Sequence, residues 1–275
     1  MKIPYRLVAT ERRSTGRPRA TVVFLHGIGN SSRVWEKALA DLPSSVRGVA
    51  VDLLGFGRSP RPDWLEYSAK TQARSLARTL TLLGVRRNVI IVGHSMGALV
   101  AIHYAKTHPK FVHSLVLCSP PLYRTQATGE TRRATVDAVL IGAYRRARKN
   151  PKLLLPFLKT ATKYGLINES FSVTDETFPS YIAALEAAVI NQSAIVELSD
   201  LRIPVHIIRG RFDPVVLAEP IKWIASRQPN IQVKTINAGH EVKGQTYLRE
   251  LRAIISTLIN EYTKKSNERS SSRKT

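Results

Sequence analysis

The sequence Gly-His-Ser-Met-Gly at residues 93–97 has the residue types and spacing of a reactive serine turn. An apolar run over residues 88–92 precedes it and a helical pattern follows, so Ser95 would lie on a sharp turn between a strand and a helix. The glycines on either side leave room where larger side chains would collide with neighbouring elements. The N–H of Met96 would open the helix, where unpaired donors and the helix dipole favour an anion. The pattern therefore predicts a nucleophile beside an anion-binding donor.

A serine hydroxyl is a poor nucleophile at neutral pH, so Ser95 would need a base next to it. Histidine suits this task because its pKa lies near neutrality, and a carboxylate would then fix the tautomer of the imidazole. The candidates are His240 as the base and Asp213 as the carboxylate. None of the other histidines is assigned catalysis: His26, His94, His103, His108, His113 and His206.

Strands and helices alternate on both sides of these residues. Short apolar, β-rich runs predict strands at residues 3–9, 21–25, 46–53, 88–93, 113–118, 203–208 and 231–236. The spacing of apolar residues predicts helices at residues 32–41, 68–83, 97–107, 218–227 and 245–262. Strands that alternate with helices form right-handed βαβ units, so we predict an α/β fold with a mostly parallel central sheet flanked by helices.

The alternation stops at residue 122. No convincing strand pattern occurs before residue 199, and helices are predicted near residues 126–147, 151–164 and 174–197. An insertion of this size between two core strands usually shapes a ligand site. We therefore predict three parts: a core of residues 1–121 and 199–263, a helical lid of residues 122–198, and a basic, disordered tail of residues 264–275.

Several motifs, in one chain order and each after a predicted strand, make the sequence resemble the α/β-hydrolase fold from about residue 20 to residue 262. The matching segments are His26–Asn30 for an oxyanion loop, Asp52–Ser59 for a Gly-rich loop, residues 93–97 for the nucleophile elbow, Gly210–Asp213 for an acid loop and Ala238–His240 for a histidine loop. The resemblance implies a catalytic triad in the chain order Ser95, Asp213, His240. It also implies an oxyanion hole made by the backbone N–H groups of Ile28 and Met96.

Other acids compete poorly for the role of Asp213. Asp52 is expected to shape its own turn, and Glu241 adjoins His240 only in sequence. The predicted strand at residues 113–118 ends without a carboxylate, which favours Asp213. A serine at the elbow also argues against the branches of the fold that use an aspartate nucleophile. No tight metal-ligand spacing occurs, so neither a metal nor an organic cofactor is predicted.

The composition bears on partners and compartment. The chain carries 42 Lys and Arg against 20 Asp and Glu, a net charge of +22, but the basic residues are spread without zinc-finger spacing or an RNA-recognition signature. We therefore predict no specific nucleic-acid partner. Cys118 is the only cysteine and no apolar signal segment opens the sequence, which favours a cytoplasmic protein. The apolar stretch at residues 88–105 splits into a strand and a helix, so it is not interpreted as a membrane span.

The predicted lid combines a cationic cluster at residues 139–165 with the apolar run Leu153–Leu158. One interpretation is a lid whose apolar face lines an acyl pocket. A second is an interfacial helix that meets an anionic membrane surface, and a third is an ordinary solvated basic helix.

Taken together, these residues predict a serine esterase that attacks a small-molecule or lipid-like acyl substrate and forms an acyl-enzyme. Hydrolysis of a carbon–carbon bond, as in ring-fission-product hydrolases, is a close alternative. Thioesterase, lactonase and acyltransferase activities stay open, because a triad defines acyl chemistry and not the acyl group. A small-ligand receptor with the same cavity, or a basic protein that binds nucleic acid or membranes, belongs to a different class.

Overall fold

Seven strands form one sheet in the computed structural model, which describes residues 4–123 and 173–271. The strands are β1 (Ala9–Arg12), β2 (Ala20–Leu25), β3 (Val46–Val51), β4 (Val89–His94), β5 (Val112–Cys118), β6 (Val205–Gly210) and β7 (Ile231–Ile236). Their order across the sheet is β1-β3-β2-β4-β5-β6-β7. Strand β1 is antiparallel to β3, and every other neighbouring pair is parallel. The predicted α/β fold with a mostly parallel sheet is confirmed.

Helices pack on both faces of the sheet. They are α1 (Glu36–Ala40), α2 (Ala69–Leu82), α3 (Met96–Thr107), α4 (Phe178–Ala184), α5 (Ala194–Ser199), α6 (Ala218–Ala225) and α7 (Gln245–Ser271). A 3₁₀ turn at Ser32–Trp35 precedes α1, so the predicted helix at residues 32–41 is only partly α-helical. Within residues 4–123 and 173–271, no helix has both the length and the apolar character needed to cross a membrane.

Two buried cores lie on opposite faces of the sheet. Val23 and Leu25 of β2 share one core with α2 and α3, whereas Val22 and Phe24 share the other with α1 and α7. Successive side chains of a strand point to opposite faces, so a strand covered on both sides must be apolar at nearly every position. All six residues of β2 are buried, which explains the continuous apolar run in its sequence.

The first strand lies later in the chain than the sequence predicts. Alternation favours residues 3–9, but β1 spans Ala9–Arg12, within a stretch predicted to be mostly turn. It pairs with β3 at the edge of the sheet, where Glu11 accepts a hydrogen bond of 2.5 Å from Arg47. An exposed edge strand needs no apolar alternation, and this is why its polar sequence resembles a turn.

The single helix predicted at residues 174–197 is broken in the structure. Helix α4 begins at Phe178, a π-helical segment follows at Leu185–Ile190, and α5 begins at Ala194. Between them, the Gln192 amide donates a hydrogen bond to the carbonyl of Pro121, and its oxygen accepts one from the Ala194 N–H. This long-range tie, which the local pattern does not contain, interrupts the helix. The predicted helices at residues 126–147 and 151–164 lie outside the described residues.

Helix α7 continues to Ser271, so disorder is wrong for residues 264–271 of the predicted tail. Tyr247, Leu251 and Leu258 are fully buried and anchor the helix in the core. Once a helix has formed, each further residue adds a backbone hydrogen bond without a new nucleation step. The Lys, Glu and Arg residues beyond position 263 have high helix propensity, which favours this extension.

Candidate active site

Ser95 lies on a strained turn between β4 and α3. Its φ and ψ angles are 50° and −119°, a conformation that costs a non-glycine residue on the order of 1–3 kcal/mol. The turn is held in place because the Ser95 N–H donates a hydrogen bond of 2.9 Å to the carbonyl of Cys118 on β5. A Cβ atom at Gly93 would lie 2.5 Å from the Gly97 carbonyl oxygen, and one at Gly97 would lie 2.5 Å from the Leu25 oxygen. Close backbone packing therefore requires both glycines of the motif.

His240 and Asp213 meet Ser95 at the carboxyl edge of the sheet. His240 follows β7, Asp213 follows β6, and both loops lie on the same side as the turn after β4. The Nε2 atom of His240 is 3.1 Å from the Ser95 Oγ, and its Nδ1 is 2.9 Å from the Asp213 Oδ2. The structure thus joins the three residues in one hydrogen-bonded chain, in the arrangement expected for a nucleophile, a base and an orienting carboxylate.

The Asp213 carboxylate is buried but well solvated by donors. Its side chain is 0% exposed, and its Oδ1 accepts hydrogen bonds from the N–H groups of Val215 (2.8 Å) and Val216 (3.0 Å). Burial acts to raise the pKa of Asp213, but the hydrogen bond and charge of His240, together with the two amides, outweigh it and lower the pKa below its usual value. An ionised carboxylate at this position would favour the N–H on Nδ1 and leave Nε2 free to accept a proton.

His94 is a further residue at the site, and its role was missed from the sequence. The ring is 1% exposed, its centroid lies 5.1 Å from that of His240, and its Nε2 donates a hydrogen bond of 3.0 Å to the main-chain carbonyl of His240. Burial lowers the pKa of His94 to about 3, with the neighbouring His240 as the next cause, so the ring is neutral at ordinary pH. No motif could have indicated this contact, because its acceptor is a backbone carbonyl.

The loop after β2 approaches Ser95 from the other side. A Cβ at Gly27 would lie 3.2 Å from the Ser95 Cβ, and Ile28 lines the same cavity as Ser95. Met96 is the first residue of α3 and is fully buried. The two residues expected to form an oxyanion hole, Ile28 and Met96, are thus the neighbours of Gly27 and Ser95 along the chain.

His26 and Asp52 hold the loops around the site. The Nδ1 of His26 donates a hydrogen bond of 2.7 Å to the Gly27 carbonyl, and its Nε2 accepts one of 2.9 Å from the Leu53 N–H. Burial lowers the pKa of His26 to about 4. The carboxylate of Asp52 accepts hydrogen bonds from the N–H groups of Ser32 (2.6 Å) and Arg58 (3.1 Å). Both side chains bond to backbone rather than to Ser95, so they shape the loops.

A cavity of about 840 Å³ opens onto the Ser95 hydroxyl. One wall is apolar and comes from α4 and the π-helical segment, through Tyr181, Leu185 and Val189. Glu241 also lines the cavity, and burial raises the pKa of its carboxyl group. The arrangement can accommodate an apolar group beside a nucleophilic hydroxyl.

Two other histidines considered from the sequence lie in structural contacts. The Nδ1 of His103 on α3 lies 2.9 Å from the Glu197 carboxylate on α5, and the His108 ring stacks on Tyr104 with centroids 4.6 Å apart. In the part of the chain that the structure describes, no three or more His, Cys, Asp or Glu side chains form a group that could hold a metal ion.

Comparison with known proteins matches both the fold and the site region. The family model for the alpha/beta hydrolase fold matches residues 20–244. The probable lysophospholipase BODYGUARD 2 of Arabidopsis thaliana is 35% identical over 111 residues, which are 38% of this chain and 24% of that protein. The chain spans about a quarter of the length of the curated relatives it matches first.

Solved structures match over nearly the whole chain. An esterase from Rhodococcus sp. ECU1013 is 28% identical with a TM-score of 0.67, over 92% of this chain and 96% of that one. A bromoperoxidase from Bacillus anthracis is 25% identical with a TM-score of 0.73, over 92% of this chain and 95% of that one. With the family model covering most of the sequence and the sheet order described above, the chain belongs to the α/β-hydrolase fold family.

Proposed function

We propose that this α/β-hydrolase is a serine esterase that cleaves a carboxylic ester through an acyl-enzyme intermediate. The observation that carries the proposal is the hydrogen-bonded chain from the Ser95 Oγ through the His240 ring to Asp213, at the mouth of a cavity of about 840 Å³. Ser95 is the nucleophile, His240 the base, and Asp213 the carboxylate that orients the imidazole.

The proposed reaction has two halves. In the first, the Ser95 Oγ attacks the ester carbonyl carbon while its proton moves to the His240 Nε2, and that proton then leaves with the alcohol as the carbon–oxygen bond breaks. In the second, a water molecule gives its proton to the same nitrogen and attacks the acyl carbon, and the proton returns to the Ser95 Oγ as the acid is released. Asp213 stabilises the imidazolium that forms in both halves.

The oxyanion would accept hydrogen bonds from the backbone N–H groups of Ile28 and Met96. The close approach of Gly27 to Ser95 and the position of Met96 at the start of α3 support this assignment. Backbone donors aimed at a developing charge in a site that excludes water are worth about 3 kcal/mol each in other enzymes. The Ile28 side chain would then influence only the shape of the acyl pocket.

The apolar wall of the cavity favours a small ester with an apolar or lipid-like acyl group. The Rhodococcus esterase and the probable lysophospholipase are relatives whose names agree with such a substrate. The cationic cluster proposed to meet an anionic membrane, at residues 139–165, lies outside the described residues. The helical lid, and a cytoplasmic location based on the single cysteine Cys118, likewise stay predictions from the sequence.

A fluorophosphonate probe tests the nucleophile, because it forms a covalent bond with an activated serine. We expect labelling of the wild type and none of Ser95→Ala. Ser119→Ala is a matched control, since Ser119 also has a positive φ (47°) at the end of a neighbouring strand but bonds to Tyr247 rather than to a histidine. An unlabelled wild type, or labelling that survives in Ser95→Ala, would contradict the proposal.

A substrate panel then tests the acyl chemistry. Matched p-nitrophenyl esters, thioesters and lactones of increasing acyl length are compared by kcat/KM in the wild type. The esterase proposal expects esters to be the preferred class, with a preference for chains that fill the apolar wall. Ring-fission diketones are the comparison for carbon–carbon hydrolysis, and faster turnover of these than of any ester would overturn the ester assignment.

A further inference from the structure

A second cavity lies at the opposite edge of the sheet and is lined by arginines. It has a volume of about 280 Å³. We call it the arginine pocket, after the side chains that line it: Arg17, Arg19, Arg47, Arg86 and Arg87. No Asp or Glu is among the described residues that line it. A concave surface with this composition is a strong local source of positive potential.

The pocket is remote from the Ser95 hydroxyl. Its walls come from the segments just before β2 and β4 and from the start of β3, whereas Ser95 follows the carboxyl end of β4. Strand β4 has six residues, so it separates the two sites by about 20 Å at a rise of roughly 3.3 Å per residue. The arginine pocket therefore cannot contact a substrate bound at the candidate active site.

Most of the positive charge in the pocket is not neutralised by the protein. Arg47 is paired with Glu11 at 2.5 Å and also bonds to the carbonyl of Leu83. Among the residues that the structure describes, no carboxylate pairs with Arg17, Arg19, Arg86 or Arg87, and all four side chains are exposed. Four unpaired guanidinium groups around one depression repel each other, and a bound anion would relieve that repulsion.

Backbone hydrogen bonds hold the segments that carry these arginines. The Arg19 N–H donates to the Ser45 carbonyl (3.0 Å), and the Thr21 N–H donates to the Asn88 carbonyl (3.2 Å). Asn88 itself has a positive φ of 56°, which bends the chain between Arg87 and β4. The arginines are thus carried by positions that the edge of the sheet defines.

We propose that the arginine pocket binds a phosphate group that carries two or more negative charges, as in a phosphate monoester or a pyrophosphate. A guanidinium group presents a planar fork of donors that matches two phosphate oxygens at once, and several forks around one depression favour a ligand with several oxygens and charges. A nucleic acid would instead require an extended basic stripe along its backbone. A concave, bounded pocket favours a single phosphorylated group, either on a free small molecule or on a lipid headgroup.

Calorimetric titration with inorganic pyrophosphate at about 0.15 M salt tests the proposal, because exposed pairs are largely screened under these conditions. We expect saturable binding and a higher Tm in the wild type. The double variant Arg86→Gln/Arg87→Gln is expected to weaken binding by roughly tenfold or more, and its Tm without ligand should not fall, since repulsion is removed. The control Lys70→Gln/Arg74→Gln removes the same charge from exposed positions near the other end of α2 and should bind like the wild type.

Sedimentation with vesicles distinguishes the two sources of phosphate. Phosphatidic acid vesicles are compared with neutral phosphatidylcholine vesicles, using the same variants. Binding of pyrophosphate alone supports a soluble ligand, and binding to phosphatidic acid that is lost in Arg86→Gln/Arg87→Gln supports a lipid headgroup. Equal loss in both double variants, or binding to neither probe, would overturn the proposal. Binding of a single-stranded oligonucleotide through Arg86 and Arg87 without pyrophosphate binding would also overturn it, in favour of a nucleic-acid surface.

Discussion

The His94 ring donates a hydrogen bond of 3.0 Å to the main-chain carbonyl of His240, and so connects the turn that carries Ser95 with the loop that carries the candidate base. The two residues are separated by 146 positions in the sequence. Because the same turn also positions the Ser95 Oγ 3.1 Å from the His240 Nε2, the contact aligns both partners of the proposed proton transfer.

His94→Ala is expected to lower kcat by roughly tenfold, equal to about 1.4 kcal/mol, with a smaller change in KM, because the His240 ring loses its positional support. His94→Gln should restore most of the activity, since its amide can donate to the same carbonyl. The measurement is steady-state ester hydrolysis beside a thermal melt of each variant. Equal activity losses in the alanine and glutamine variants would show that the hydrogen bond is not the cause.

Asp213→Asn is expected to lower kcat by about 10³ to 10⁴ while the fold is retained, because the amide would favour the wrong imidazole tautomer. Glu241→Gln is the comparison, since Glu241 adjoins His240 in sequence and lines the cavity but is expected to have a much smaller effect. Steady-state kinetics with circular dichroism of both variants check this. A larger loss in Glu241→Gln than in Asp213→Asn would reassign the acid.

Protein stability is expected to fall between about pH 6.5 and pH 4 because two buried histidines resist protonation. Burial lowers the pKa of His26 to about 4 and of His94 to about 3, from 6.5 in an unfolded chain. The unfolded state therefore binds protons below pH 6.5 that the folded state does not, so each histidine contributes stability above that pH and loses it as the pH falls. A shift of 2.5 units for His26 corresponds to about 3 kcal/mol at most.

Urea unfolding of the wild type and His94→Gln at pH 7.5 and pH 4.5 measures this contribution. We expect the variant to lose less stability than the wild type over that interval. The pKa values of Asp52 and Asp213 are lowered below 3.8, so these carboxylates lose their contribution only at lower pH. The raised pKa of Glu241 acts in the opposite direction but is common to both proteins. Identical losses in the two proteins would contradict the role of His94.

Gly97→Ala is expected to destabilise the fold by roughly 1–3 kcal/mol or more, because its Cβ would lie 2.5 Å from the Leu25 oxygen and 2.6 Å from the His26 oxygen. Gly239→Ala is the matched control, since a Cβ there meets nothing within 4 Å and its φ is not positive. It should stay within about 0.5 kcal/mol of the wild type. Chemical denaturation of both variants provides the comparison, and equal stability of the two would show that the turn has room for a side chain.

Residues that follow local rules were predictable. The turn around Ser95 could be located because an apolar run, two glycines and a helical pattern follow one another in the sequence, and β2 and β4 are apolar because the sheet is covered on both faces. The polar edge strand β1 and the break between α4 and α5 were not predictable, since they depend on pairing with Val46–Val51 and on the bond from Gln192 to Pro121.

The sequence by itself determined the elements and the order in which Ser95, Asp213 and His240 occur, because strand, turn and helix patterns depend on neighbours along the chain. Only the tertiary structure decided that the His240 ring lies between the Ser95 hydroxyl and Asp213, that His94 supports it through a backbone carbonyl, and that arginines from three separate segments surround one pocket. These relationships join residues that are far apart in the chain. They are set by the order of the parallel strands, which brings the loops at each edge of the sheet together.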